Sequence, residues 1–580
     1  MGLRICLVTP FDWSRPHDVN DHVAGAANAL RERGHEVTVL ASSTRAADLL
    51  AGRRALLDGT GSGPEVIALG AAVPVSRRSR MGVPVGVRAN LSLALARGRF
   101  DVVHGFEPGL PSLSYLALRE TEALAVATFH SAERLGYPPG RAQRERLLGR
   151  IDALVATSQR MADAAAARFP GDYELVPVGV DLDLFRPAPK QHKIVVELRQ
   201  ASRPVVRALM RELRALEGWQ LVLLRTKPLE WRPAIPRDLA GRVRVRTLRA
   251  GGARAELFGP AAIFVPATHG LARVSLEAAA AGCAIAAPPS VEEQPELAVA
   301  AAGRLADDEP LRERLAVEAQ EQAAEQSFER LGDELDRLYT RLARRRRAPR
   351  HSDPRPLADR PWIVADLHMH TSHSHDCSIE PALLVEHAAA QGLGAIAVTD
   401  HNVFGGALEA AEAARGNGLT VIPGEEVKTD VDGEVIGLFL REEIPRGMPF
   451  ADTVAAIHEQ GGLVYVPHPF DRMHSIPSPA TLSRHLADVD VFEVYNARLL
   501  FEAYNDEALR FARKYNLTMG AGSDAHVLQG VGTGALRMRA FDGPEEFLIS
   551  LRSAEVLRRP KSLAYLQSLK WVAQVKEKVR

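Results

Sequence analysis

The chain has 580 residues, 46% hydrophobic and 25% charged, which is too long for one core and fits a globular protein of two to four domains. Lysine plus arginine and aspartate plus glutamate both number 72, so the zero formal charge gives no whole-chain case for a nucleic-acid binder. Cys6, Cys283 and Cys377 lie too far apart to read as a disulfide framework or a cysteine zinc ribbon. No run of 18 apolar residues predicts a membrane span, and the apolar run in 1–10 is too short for a signal peptide. A cytoplasmic protein is expected.

Residues 4–9 read as a buried strand, followed by a polar loop over 10–20. From His22 to Arg33, Val23, Ala26, Ala27 and Leu30 recur on one helical face, and Gly34 ends the helix. A strand at 35–40 completes the start of a doubly wound α/β domain. Further strands are predicted at 66–69, 101–104, 124–129, 153–157 and 174–177. After a break near 179–190, a second α/β set has strands at 194–198, 221–224, 243–247, 262–266 and 284–287. A helix over 311–346 runs into arginines 344–347, read as a solvated helix end. The proline-rich, charged stretch 348–356 reads as a linker.

Four phrases in this first half carry a likeness: Arg33-Gly34-His35-Glu36-Val37-Thr38-Val39-Leu40, Ala127-Thr128-Phe129-His130, Pro177-Val178-Gly179-Val180-Asp181, and Leu276-Glu277-Ala278-Ala279-Ala280-Ala281-Gly282. Over about 1–345 the chain resembles family-4 glycosyltransferases of the GT-B fold, closest to bacterial mannosyltransferases acting on lipid acceptors. The resemblance implies two Rossmann-like domains with a nucleotide sugar in their cleft, met by His130 and Glu277. It also shows departures. The first loop reads Pro16-His17-Asp18-Val19-Asn20 in place of two glycines. His269 stands where a glutamate is expected, and the donor diphosphate clamp has no counterpart beyond Arg199 or Arg203. Each departure removes an interaction with an anionic or polyhydroxylated donor.

The second half is richer in histidine: 8 of the 19 precede residue 360 and 11 follow it. A strand at 362–367 leads into His368-Met369-His370, two imidazoles that point the same way because strand side chains alternate. A helix over 380–391 is expected, with Ser378 as its cap. A strand at 395–399 ends in Asp400-His401, one at 420–424 in Glu425-Glu426, one at 463–467 in His468, and one at 518–521 in Ser523-Asp524-Ala525-His526. Strands at 434–440 and 491–495 and helices at 407–415, 450–460 and 505–515 complete the alternation. Polar groups at strand C-termini suggest a (βα) barrel, and about 200 residues favour seven strands in a distorted one. Histidine and carboxylate ligands without cysteine suit zinc, manganese or iron in an open hydrolytic site.

These five motifs, in this order over about 362–560, resemble the PHP family, the polymerase-and-histidinol-phosphatase domains. The resemblance implies two to three divalent cations. His368, His370, Glu426 and Asp524 would hold one, Glu426 and His468 a second, and Asp376, His401 and His526 a third. Glu425 rivals Glu426, and His375 rivals Asp376. Glu434, with Glu493 as a weaker candidate, would complete the middle cation. His401, Asp524 and Arg472 are the residues expected to act on substrate, Arg472 through its phosphate. His373, His387, His458, His474 and His485 read as surface residues. The expected architecture is thus α/β: GT-B (1–187 and 188–347), a linker (348–360), a distorted (βα)7 PHP barrel (361–560) and a helical tail (561–580). The implied activity is hydrolysis of a phosphate ester by metal-bound hydroxide, the substrate being a nucleotide, a sugar phosphate or a nucleic-acid 5′ end. Two alternatives stand beside it. The first half is an active nucleotide-sugar-dependent transferase with an accessory hydrolase, or it is a nucleotide-sugar or glycan binding module that directs the hydrolase.

Overall fold

The computed structural model describes residues 2–58, 66–74, 82–84, 86–200, 202–226, 229, 231–267, 272–286, 295–346, 355–431, 433–471, 473 and 476–559. These form two compact units, Met1–Ala343 and Arg344–Arg580. His269, Arg472, His474, most of the linker and the 561–580 tail lie outside the described residues. Among the described residues, no helix is long and apolar enough to cross a membrane.

The first unit holds two parallel sheets. In the larger, the order is Val66–Ala68, Glu36–Ser42, Arg4–Asp12, Val102–Phe106, Leu124–Phe129, Ala153–Ala156, Tyr173–Leu175. The central strands are buried along almost their whole length, as a sheet covered on both faces requires. Strand order reverses beside Arg4–Asp12, which opens a crevice at the strands' carboxyl ends. The first strand runs three residues beyond the expected Thr9, because Phe11 is buried and Asp12 is satisfied by Ser14 and Thr44. The helix then starts at Asp18, four residues early, with the His17 ring accepting the Val19 N–H as its cap.

The smaller sheet has the order Val243–Thr247, Gln220–Arg225, Gln191–Glu197, Ala261–Val265, Ala284–Ile285. The single helix expected over 311–346 is two, Glu309–Ala324 and Phe328–Ala343, broken where Ser327 bridges to Val180. The second returns to the larger sheet, although the sequence assigns it to the smaller. Arg33 pairs with Asp333 at 2.6 Å, His35 Nε2 with Asp336 at 2.9 Å, and His104 Nδ1 with the Tyr339 hydroxyl at 2.6 Å. Close approach needs glycine: a Cβ on Gly25 would lie 2.3 Å from the Phe328 ring.

In the second unit, seven strands follow in chain order around the sheet: Trp362–Met369, Ala395–His401, Thr420–Lys428, Glu434–Leu438, Leu463–Val466, Val491–Asn496 and Met519–Gly522. Glu434–Leu438 runs antiparallel to both neighbours, which distorts the ring. The last strand's loop returns to the first. The Asp524 N–H donates to His368 O at 2.8 Å, the His370 N–H to Ala525 O at 3.1 Å, and Met369 bridges to Ala525. Two further strands, Gly534–Arg539 and Glu555–Arg558, extend the sheet beyond the first strand, antiparallel, and were not expected. The helix after the histidine loop is Pro381–Ala390; its N-cap is Glu380, not Ser378, with proline pre-setting the first turn.

Candidate metal centre

The rim that closes this barrel gathers the polar residues. His368 is the last residue but one of the first strand, His401 ends the second, and Glu426 lies on the third in register with His401. His468, Asp524 and His526 follow the fifth and seventh strands. The antiparallel fourth strand brings its first residue, Glu434, to the same rim. His368, His370 and Asp524 present one ligand atom each within 4.8 Å of one another, as do His368, Glu426 and His468, and also His370, His401 and His526. All are buried except His401, which is partly exposed. His468 and Asp524 hold left-handed backbone (φ 27° and 52°), a conformation that non-glycine residues keep only where surrounding bonds enforce it.

Glu426 is the hub. Its Oε1 lies 3.0 Å from His468 Nε2, and its Oε2 lies 3.3, 3.5 and 3.2 Å from His368, His370 and His401 nitrogens. Glu425 points to the other side of the strand and accepts the Ile444 N–H at 2.9 Å, so alternation settles which of the pair faces the centre. Asp376 Oδ2 is 3.0 Å from His526 Nε2 and its Oδ1 3.7 Å from His401 Nε2, whereas His375 is exposed. Glu434 stands at the edge of the centre and outside the three tight groups. Burial first, then the Glu426 charge, raises its carboxyl to about 7.

The charges are mutually adapted. Burial alone would push His368 down, but Asp524, Glu426 and Glu493 outweigh it and hold the imidazole well above its usual range. Burial opposes the charge of Asp524, yet Arg498 and His368 hold that carboxyl well below the ordinary value. His370 goes the other way: burial, then His526, lowers it well below a free imidazole. Its Nδ1 is bonded to Ser374 Oγ at 3.2 Å. Its Nε2 is buried with no hydrogen-bond partner, 3.5 Å from both Glu426 Oε2 and Asp524 Oδ1. A neutral ring nitrogen aimed at two carboxylates is what a divalent cation needs, so the residues fit the metal site.

Three supporting residues went unnoticed in the sequence or were misjudged there. Glu493 is not at the cation groups. It accepts from His368 Nδ1 (3.2 Å), the Tyr465 hydroxyl (2.8 Å), the His468 N–H (2.6 Å) and Asn496 Nδ2 (3.1 Å), turning His368 Nε2 toward the centre. Asp400 accepts the Thr371 N–H and the Thr371 and Ser374 hydroxyls, fixing the histidine loop. Arg498 donates to Asp524 Oδ1 at 3.0 Å; its one sequence signal is a polar residue just past a strand end. Of the histidines read as surface, His373 pairs with Glu409 and His458 with Asp490, away from the centre.

In the first unit, Glu277 is fully buried and both oxygens are taken. Arg254 meets them at 2.5 and 2.6 Å, and Arg273 meets Oε1 at 3.0 Å. Arg273 also donates to Asp18 O at 2.5 Å and lies 3.6 Å from Asp21 across the crevice. Arg199 is held by Glu197 at 2.5 Å, while Arg203 is exposed. His130 faces His22 with ring centroids 4.9 Å apart, and its buried Nε2 has no hydrogen-bond partner. Burial, then Arg134, lowers its imidazole to about 3.

A PHP-domain profile matches residues 366–512 and a PHP-associated profile matches 502–556. Glycosyltransferase Family 4 matches 19–184. The chain therefore belongs to the PHP family through its second unit and carries a family-4 glycosyltransferase domain in its first. An uncharacterised protein of Methanocaldococcus jannaschii is 35% identical over 35% of this chain and 85% of its own. A phosphatidyl-myo-inositol mannosyltransferase of Propionibacterium freudenreichii is 36% identical over 28% of this chain and 42% of its own. Among solved structures, a metal-dependent phosphoesterase of Bifidobacterium adolescentis is similar at 20% identity and TM-score 0.25, over 28% of this chain and 87% of that one.

Proposed function

We propose that the second unit hydrolyses a phosphate ester with two to three divalent transition metals, zinc, manganese or iron, and that the first unit transfers sugar weakly or not at all. The observation that carries the first part is the unpartnered His370 Nε2 between Glu426 and Asp524, inside a ring of four further histidines. His368, His370, Glu426 and Asp524 would hold one cation, Glu426 and His468 a second, and Asp376, His401 and His526 a third. Such ions supply an activated water and neutralise charge on phosphorus. The protein's own part is to fix the ligands. Glu493 orients His368, Ser374 orients His370, and Asp400 pins the loop between them. The second part rests on Glu277, which is buried with both oxygens engaged by Arg254 and Arg273, together with the missing first-loop glycines and diphosphate clamp.

The test is elemental analysis of the purified chain with a panel of nucleotides, sugar phosphates and 5′-phosphorylated oligonucleotides. Two to three ions per chain and turnover of a phosphoester are expected, both lost in His368→Ala/His370→Ala. A parallel panel of UDP- and GDP-sugars should release no nucleotide. Full metal content in the double variant would overturn the site. Efficient sugar transfer that survives His368→Ala would make the first unit the principal enzyme.

A further inference from the structure

Arg498 lies just beyond the strand Val491–Asn496, on the rim that carries the candidate ligands. Its own N–H donates to Asn496 Oδ1 at 2.9 Å, which sets the turn. Its Nη1 donates to Asp524 Oδ1 at 3.0 Å and lies 3.1 and 3.2 Å from the two ring nitrogens of His526. Nη2 is 3.9 Å from Asp376 Oδ2, an ion pair beyond hydrogen-bond reach. An arginine paired with a carboxylate frequently turns its fork to it, making two parallel bonds. Here one nitrogen serves Asp524 and His526. The Nε–Nη2 edge makes no hydrogen bond to any described residue, in a side chain that is 21% exposed.

An arginine edge of two parallel N–H groups matches two oxygens on one phosphorus. A phosphomonoester has three non-bridging oxygens, so two can meet the guanidinium while one remains for the centre. A diester has only two, so both would have to be shared between the guanidinium and the centre. We propose that the Nε–Nη2 edge of Arg498 binds two non-bridging oxygens of the substrate phosphoryl group, and that the substrate is therefore a phosphomonoester. This rests on the phosphoesterase reading above.

The experiment uses the full-length, metal-loaded chain and inorganic phosphate as probe. Calorimetric titration is run on the wild type, Arg498→Lys and Arg498→Ala, each with elemental analysis. Steady-state kinetics on p-nitrophenyl phosphate and bis(p-nitrophenyl) phosphate run alongside. Loss of two charge-assisted hydrogen bonds weakens phosphate binding about 100-fold or more in Arg498→Ala. Arg498→Lys, which keeps the charge and loses the fork, should fall between it and the wild type. The variants are brought to equal metal content by loading with excess cation; at equal loading, KM for the monoester should rise in step, and the wild type should prefer the monoester. Unchanged phosphate binding in both variants would overturn the proposal. So would phosphate binding that returns to the wild-type value in both variants once metal content is equal, which makes Arg498 a support for Asp524 only, or a wild type that prefers the diester. A wild type that binds no phosphate and cleaves neither ester sinks the phosphoesterase reading and this inference with it.

Discussion

Glu493 shows what a single side chain can do without touching a cation. Its carboxylate accepts a hydrogen bond from His368 Nδ1–H, the tautomer that would leave Nε2 free to ligate. Replacing it by glutamine should keep the barrel folded and weaken metal binding about 10–100-fold, read by competition with a chromophoric chelator. Unchanged affinity would show that His368 is oriented by other groups. Glu277 makes the opposite case. With its side chain 1% exposed and that of Arg254 0%, Glu277→Ala leaves a buried guanidinium short of its counter-charge and should cost the first unit about 3–5 kcal/mol by urea denaturation. Glu277→Ala with Arg254→Met should recover most of that. If Glu277→Ala unfolds like the wild type, the pair is not structural. Most histidine and carboxylate positions of the centre were legible as residues because they follow an apolar run, whereas Asp376 is placed only by the family resemblance. Glu493 reads in the sequence only as a weaker cation ligand and Arg498 has no role there, because a carboxylate inside a strand and an arginine two residues past one look like ordinary polar positions until the barrel curls them inward.

At the scale of elements, parallel strands buried on both faces read as uninterrupted apolar runs, so their places were foreseen within a few residues. What failed was assignment by adjacency. The helix Phe328–Ala343 follows the smaller sheet in sequence yet docks on the larger, burying Leu331, Leu335, Leu338 and Tyr339. An amphipathic helix names the face it buries and not the partner. The antiparallel strands at 534–539 and 555–558 were lost for a similar reason, since they lie outside the motif-bearing alternation. The returning helix gives an acid-stability prediction. His104 bonds Tyr339 and Thr128 through its two nitrogens, and burial, then His130, lowers it to about 3. In the unfolded chain it takes a proton near its ordinary 6.5. Between these values the unfolded state binds more protons, so stability is present above about 6.5 and is lost as pH falls toward 3. His104→Gln should be less stable at neutral pH and show a shallower loss of melting temperature across that window. An equal slope in both proteins would remove His104 as a cause.

Each of the two units has packed cores of its own. Apolar side chains pack into clusters inside Met1–Ala343, such as the one around Ile194 and Leu223, and inside Arg344–Arg580, such as the one around Ala365 and Tyr465. Cations bound by residues of the second unit would stabilise its folded state by mass action. At a free metal concentration about 1,000 times Kd that stabilisation is about 4 kcal/mol. For a unit of this size, 1 kcal/mol moves the melting temperature by about 2–4 °C, so stripping the metal should lower one calorimetric transition by about 8–16 °C. The other transition, from the first unit, should stay in place. His368→Ala/His370→Ala should melt near the chelated position with or without chelator, because the ligands that couple metal to folding are gone. Dialysis against EDTA followed by scanning calorimetry reads all of this in the intact chain. A single transition that shifts as a whole would mean that the units unfold together, and two transitions that ignore the chelator would mean that the histidine rim holds no metal that matters for folding.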